Sequence, residues 1–227
     1  MPAPTLINFS QDRHAARPRR TTALAVSAGL TTLFFIVYPT CNWIASQRQD
    51  VPTLFFAWER SIPFIPVMLI PYMSIDLFFV AGPFVCGSYS ELRTFAIRMV
   101  IALLVAAACF LTFPLQFGSQ PPEATGILAP AFGWLRAIDG PFNLFPSMHI
   151  AFCGLLIATY GRHSRGVLRV VLILWFALII ASAVLTYQHH LLDVAGGFAL
   201  AGGCVCFVRE ETRSSARADV TAASAKD

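Results

Sequence analysis

Residues 167–187 read VLRVVLILWFALIIASAVLTY, and residues 188–193 continue QHHLLD. The first stretch carries a single charge, Arg169, close to its start. A helix needs about 20 apolar residues to cross the hydrocarbon core of a bilayer, and this run supplies them. Comparable apolar runs lie at 22–45, 62–86, 94–116, 147–160 and 191–208. They account for the composition: of 227 residues, 56% are apolar or aromatic and 12% are charged. That charged share is about half that of a soluble domain, too little to cover so much apolar surface in water. A nucleic-acid-binding domain, an extended disordered scaffold and a disulfide-rich secreted domain are excluded on the same ground. The chain reads as all-α, an integral membrane bundle of six transmembrane helices forming one domain over residues 21–208. Polar tails at 1–20 and 209–227 are low in aromatics and are expected to be disordered.

The formal net charge of +4 matters less than where the charges lie. Lys226 is the only lysine. With the amino terminus cytoplasmic, the inner side holds Arg13, Arg17, Arg19, Arg20, Arg93, Arg98, Arg162, Arg165, Arg169, Arg209, Arg213, Arg217 and Lys226. The outer side holds Arg48, Arg60 and Arg136. This bias places both termini in the cytoplasm. The first run is too long for a signal-peptide core and is kept as a span. The second contains Pro63, Pro66, Pro71 and Pro83 and is expected to be irregular, and the fourth is short. Trp43, Trp58 and Trp134 fall at outer boundaries, where an interfacial belt would lie. Gly196, Gly197, Gly202 and Gly203 suit close helix contact. The six cysteines lie in or beside apolar runs without metal-binding spacing and read as buried inert thiols. Asp76, inside the second span, needs a partner, and Arg98 is the expected one.

Three of the five histidines gather at the outer ends of the fourth and sixth spans, in Pro146-Ser147-Met148-His149 and Tyr187-Gln188-His189-His190-Leu191-Leu192-Asp193. His14 and His163 fall on the other side and read as solvated residues. His189 and Asp193 are four apart, so on a helix they share a face and the carboxylate can orient the imidazole. Ser147 and His149 open a helix, whose free N–H groups favour an anion. Two such histidines suit phosphoryl transfer, one attacking phosphorus and the other protonating the leaving oxygen. Two other readings stand beside this one. In one, the histidines and the aspartate only satisfy one another between helices; in the other, His149, His189 and Asp193 ligate a metal.

At these residues the chain resembles the type-2 phosphatidic acid phosphatase superfamily, six-helix membrane enzymes acting on lipid phosphates. Pro146-Ser147-Met148-His149 matches that family's second motif, and Ser182 through His189 to Asp193 its third. The resemblance spans roughly residues 60–205. The wording Tyr187-Gln188-His189-His190 is closest to a branch that resembles the inositol phosphorylceramide and sphingomyelin synthases. It implies that His189 is the nucleophile forming a phosphohistidine, Asp193 its orienting partner, His149 the acid and Ser147 a phosphate ligand. It also implies a lipid substrate with a phosphate-containing headgroup, a possible alcohol acceptor and no cofactor or metal. The site would face outward from a bacterial-type inner (plasma) membrane.

Three cationic positions of the pattern are altered. The first motif, Lys-x6-Arg-Pro, is absent. Gln116 and Gln120 stand where the branch commonly carries arginine, and Ala183 follows the serine of the third motif. A hydrogen bond to a charged group contributes about 1.5–3 kcal/mol against about 1 for a neutral one. Two such swaps would weaken transition-state binding by roughly ten- to a thousand-fold. Gln116, Gln120, Gln188 and Arg60 are the remaining expected phosphate ligands, with Arg60 the preferred substitute for the lost charge, unless it pairs with Glu59. Alternatively the substrate is a less anionic diester or diphosphate, or the protein binds lipid phosphate without turning it over.

Overall fold

A computed structural model gives the structure of residues 16–118 and 122–210. Their α-helices run in the order α1 (Arg20–Ser46), α2 (Leu69–Val85), α3 (Tyr89–Thr112), α4 (Ala129–Asp139), α5 (Met148–His163), α6 (Gly166–Leu185) and α7 (Leu191–Phe207). Short 3-10 turns occupy Ala57–Ser61, Pro66–Met68 and Gly126–Leu128. Among the described residues the regular elements are all helical.

Four segments are long and apolar enough to cross a membrane: α1, Pro66–Val85, α3 and α6. On α6, Val167, Leu168, Val170, Val171, Ile173 and Leu174 are all more than half exposed. So broad an apolar surface suits lipid rather than water. The chain is a membrane protein. α7 is apolar but shorter, at 17 residues.

α5 is shorter still, at 16 residues, and its surroundings explain why. Ile150, Ala151, Cys153 and Leu156 are wholly inaccessible. At 100° per residue these four point all round the helix, so α5 is enclosed by protein. It packs on α2, α3, α6 and α7, while α1 lies outside α2 and α3. The main core joins Phe95, Met99 and Phe110 of α3 to Leu155 and Leu156 of α5 and Phe176 and Ile179 of α6.

Local chemistry moves several boundaries away from the apolar runs. The second helix begins at Leu69 because Pro63 and Pro66 lack backbone donors and restrict the residues before them. α3 begins before its apolar run. Ser88 Oγ accepts from Glu91 N (3.0 Å) while the Glu91 carboxylate accepts from Gly87 N (2.7 Å), a reciprocal cap. α4 was not anticipated. It buries Phe132 and Leu135 against Leu69 and Tyr72 of α2, Ile150 and Ala183, and ends at Gly140. That glycine has φ +62°, and a Cβ there would collide with Asn42.

Two expectations about charge are corrected. Arg98 does not reach Asp76; its guanidinium donates to the carbonyls of Val208 (2.8 Å) and Val205 (3.4 Å), tying α3 to the end of α7. His163 is not simply solvated, because its Nε2 lies 2.8 Å from Glu91 Oε1. The cysteines are free, and Cys206 differs from the expectation in being exposed.

The α5–α7 contact depends on Gly197. A Cβ there would lie 2.6 Å from the Ser147 carbonyl oxygen and 2.8 Å from the Ile150 Cβ. Backbone cannot yield as a flexible side chain would. Gly197→Ala is expected to destabilise the fold by about 1–3 kcal/mol, read as a lower melting temperature in detergent. An unchanged melting temperature would show that the two helices part without strain.

Candidate active site

The turn between α6 and α7 is built around Ala183. Its carbonyl accepts the backbone N–H groups of Gln188 (3.1 Å) and His189 (3.0 Å), and its methyl is fully buried. A longer cationic side chain has no room at this position. Tyr187 adopts φ +58°, and its hydroxyl donates to the Ile62 carbonyl (2.5 Å). The tight reversal turns His189 inward, leaving it 6% exposed.

Asp193 is 1% exposed and accepts from two other residues' backbone N–H groups. Its Oδ2 accepts from His190 N (2.8 Å), and its carbonyl accepts from Ser147 N (3.0 Å). The same Oδ2 lies 3.8 Å from His189 Nδ1. The pair does not share a helix face as expected, because His189 precedes the N-cap of α7; the two meet there as an electrostatic contact longer than a hydrogen bond. No hydrogen bond reaches either ring nitrogen of His189 among the described residues.

Ser147 is the N-cap of α5, its Oγ accepting from Ile150 N (3.2 Å). Two amides expected to face an anion, those of Ser147 and Ile150, are therefore satisfied internally. Ser147 is fully buried and lines neither cavity beside His189. At the second residue of the helix, the His149 ring stacks on Tyr72, with centroids 4.0 Å apart and planes at 8°. Its Nε2 is buried without a partner. The Tyr72 hydroxyl donates to Asp139 Oδ2 (3.0 Å) at the end of α4. Burial pushes the Asp139 carboxyl up from its ordinary value, while the Tyr72 hydrogen bond and His189 oppose that shift.

His149 and His189 line one cavity of about 200 Å³, walled by α1, α2, α4 and α5. Asp76, Tyr72 and Asp139 line it with them. On its other side His189 borders a narrow cleft of about 10 Å³ formed with Arg60, Phe55, Phe117, Tyr187 and His190. Of the three outer arginines, Arg60 alone reaches a space shared with His189, and its guanidinium lies 5.0 Å from the centre of the Phe55 ring. Arg48 donates to the Leu111 carbonyl, and Arg136 to that of Pro122 (2.7 Å).

The other expected phosphate ligands are placed differently. Gln116 donates its amide to the Val51 carbonyl (2.6 Å), pinning two interhelical loops together. Gln188 Nε2 donates to the Thr186 carbonyl (3.3 Å). Gln120 lies outside the described residues.

Glu59 does not pair with Arg60. Its carboxylate accepts from Phe56 N (2.9 Å), His190 Nδ1 (3.0 Å) and Leu191 N (3.1 Å). His190 Nε2 accepts from Gly118 N (3.2 Å), which leaves the ring proton on Nδ1, facing Glu59. The ring is sandwiched between Phe55 and Phe117, at 4.9 and 4.1 Å. This clamp joins two interhelical loops to the residue next to His189, and sequence reasoning missed it. A buried carboxylate in the aromatic stretch Phe55-Phe56-Ala57-Trp58-Glu59 was the available signal. Tyr72 and Asp139 were missed as well; a tyrosine one helical turn before Asp76 was the hint.

Among the described residues no group of three or more His, Cys, Asp or Glu side chains is placed to hold a metal ion. The arrangement can bring an uncharged ring nitrogen of His189 to an electrophile, with a second imidazole in the same cavity to move a proton. The family model that matches the chain, over residues 68–207, is described as the PAP2 superfamily. No curated protein and no solved structure matches the chain.

Proposed function

The chain belongs to the PAP2 superfamily, whose membership points to phosphatase or phosphotransferase chemistry, and we propose that it is a membrane enzyme acting on lipid phosphates. The observation that carries this reading is that His149, on α5, and His189, in the turn between α6 and α7, line one cavity at one end of the bundle. In the proposed reaction His189 Nε2, on the far side of the ring from Asp193, attacks phosphorus. The bond from phosphorus to the departing alcohol breaks, and His149 supplies that oxygen with a proton. Water, or an acceptor alcohol, then attacks the phosphohistidine and returns its proton to His149. Asp193 steadies the ring as it gains charge. Arg60, across the cleft, is the cation nearest the developing anion in this scheme, and no metal is required. α5 and α7 complete a six-span bundle with both termini cytoplasmic, so the site opens outward from a bacterial-type plasma membrane. The Tyr187-Gln188-His189-His190 turn favours the branch resembling the inositol phosphorylceramide and sphingomyelin synthases.

The test is a panel of lipid phosphates, diphosphates and phosphodiesters, assayed in chelator with mass-spectrometric product detection and with or without an alcohol acceptor. Released phosphate or a transferred headgroup, together with an acid-labile phosphate on His189, is the expected result. A second reading, a catalytically silent lipid-phosphate binder, draws on Ala183 and on the engagement of Gln116 with Val51. Binding of a labelled lipid phosphate with no turnover over hours would favour it and overturn the first.

A further inference from the structure

We propose that the cavity of about 200 Å³ is a subsite for a hydrogen-bond-donating part of the substrate, hydroxyls or an ammonium group, held by Asp76 and Asp139 beside the two histidines. This rests on the function proposed above and names the kind of alcohol the site takes.

The ionisable side chains that line the cavity are two carboxylates, two imidazoles and the phenols of Tyr38 and Tyr72, with no lysine or arginine. A phosphate needs the opposite surroundings. The available cation, Arg60, lies across His189 in the separate cleft. Glu59 also lines that cleft, but its carboxylate is engaged by the N–H groups of Phe56, His190 and Leu191, so His189 lies between a side that holds Arg60 and a side whose carboxylates have no cation beside them. A phosphoryl group in line with its Nε2 has its charge attracted toward Arg60, and the alcohol it is leaving or joining extends among the carboxylates.

Asp76 strengthens the case. It lies inside a segment apolar enough to cross a membrane, where an ionisable group is disfavoured unless it has a partner or a function. Arg98, the obvious partner, is occupied at the far end of the bundle. Among the described residues Asp76 makes no hydrogen bond or ion pair. Asp139 has Oδ2 engaged by Tyr72, and its Oδ1 makes no hydrogen bond among the described residues. An independent sign of a missing ligand is His189, which borders this cavity 94% buried with neither ring nitrogen hydrogen-bonded.

The shape suits such a group. An apolar cavity of roughly 150 Å³ is large enough for a six-membered ring. Phe34 and Phe35 of α1 and Phe79 and Val80 of α2 continue the lining outward, and Phe35 and Val80 are exposed on the bundle surface. Hydrocarbon can leave between these helices while the donors stay with the carboxylates.

The experiment uses the full chain in detergent. Phosphatidic acid, phosphatidylinositol and phosphatidylethanolamine compete against a fluorescent phosphatidic acid, and kcat/KM is measured in parallel. The expected result is a preference of about ten-fold or more for the inositol or the ethanolamine ester over phosphatidic acid. Which ester is preferred tells hydroxyls from ammonium. Asp76→Asn and Asp76→Ala should collapse that preference, and Asp76→Glu should retain part of it. Removing a membrane carboxylate should not lower the melting temperature, which serves as the folding control. Equal affinity for all three lipids, or a preference indifferent to Asp76, overturns the subsite. Turnover with no such preference leaves the proposed activity standing and the subsite refuted. A preference that depends on Asp76 without turnover or phosphohistidine does the reverse.

Discussion

Replacing His189 with alanine is expected to lower turnover of any lipid phosphate by about four orders of magnitude or more, the loss that follows removal of a covalent nucleophile. His149→Ala is expected to cost about 10²–10⁴-fold, the range for a general acid. The two losses differ in kind, and leaving-group chemistry separates them. An alkoxide needs a proton as it departs, whereas a nitrophenolate does not. A nitrophenyl phosphate should therefore recover much of its rate in His149→Ala and none in His189→Ala. The His149 variant should also still accumulate phosphate on His189 from that substrate. Full activity in either variant with a natural lipid would remove the mechanism. Equal recovery in both would reverse or erase the assigned roles.

Glu59→Ala should have the largest effect on stability. Three N–H groups converge on this carboxylate, one from a histidine ring 131 positions away. Without it His190 and the Leu191 amide keep their donors in a buried site with nothing to accept them. The expected loss is on the order of 3 kcal/mol, because each buried donor left unsatisfied costs about 1–3. Glu59→Gln retains one acceptor oxygen and should lose less. Turnover should fall along with the melting temperature in detergent, since His190 adjoins His189 and α7 begins one residue later. Should Glu59→Ala melt and react like the unaltered chain, the clamp would be idle.

What the sequence disclosed and what it hid divide by distance along the chain. Helix α6 could be read because a run of about twenty residues with one charge marks it, and α7 because a shorter apolar run follows directly. The closeness of His189 to Asp193 could be read from their spacing, but not its cause: His189 precedes the helix, and the two meet across its N-cap at 3.8 Å. α4 lay inside a segment rich in prolines and short of continuous hydrophobicity. Its apolar residues Phe132 and Leu135 make sense only against Leu69 and Tyr72, more than sixty positions earlier. The acid-lined cavity depends on Tyr72 meeting both His149 and Asp139, and no spacing rule anticipates such a meeting. Arg98 shows the opposite error: a plausible antiparallel partner for Asp76 satisfies carbonyls at the end of the last helix instead.

The Glu59–His190 clamp also bears on how the protein is made. When the first three helices have entered the bilayer, Glu59 has nothing to grip and must stay hydrated at the surface. Its partner emerges 131 residues later, so the loops close over the pocket only once His190 has been made. A nascent chain halted before His190 has no clamp, and closure of the pocket waits on the start of α7.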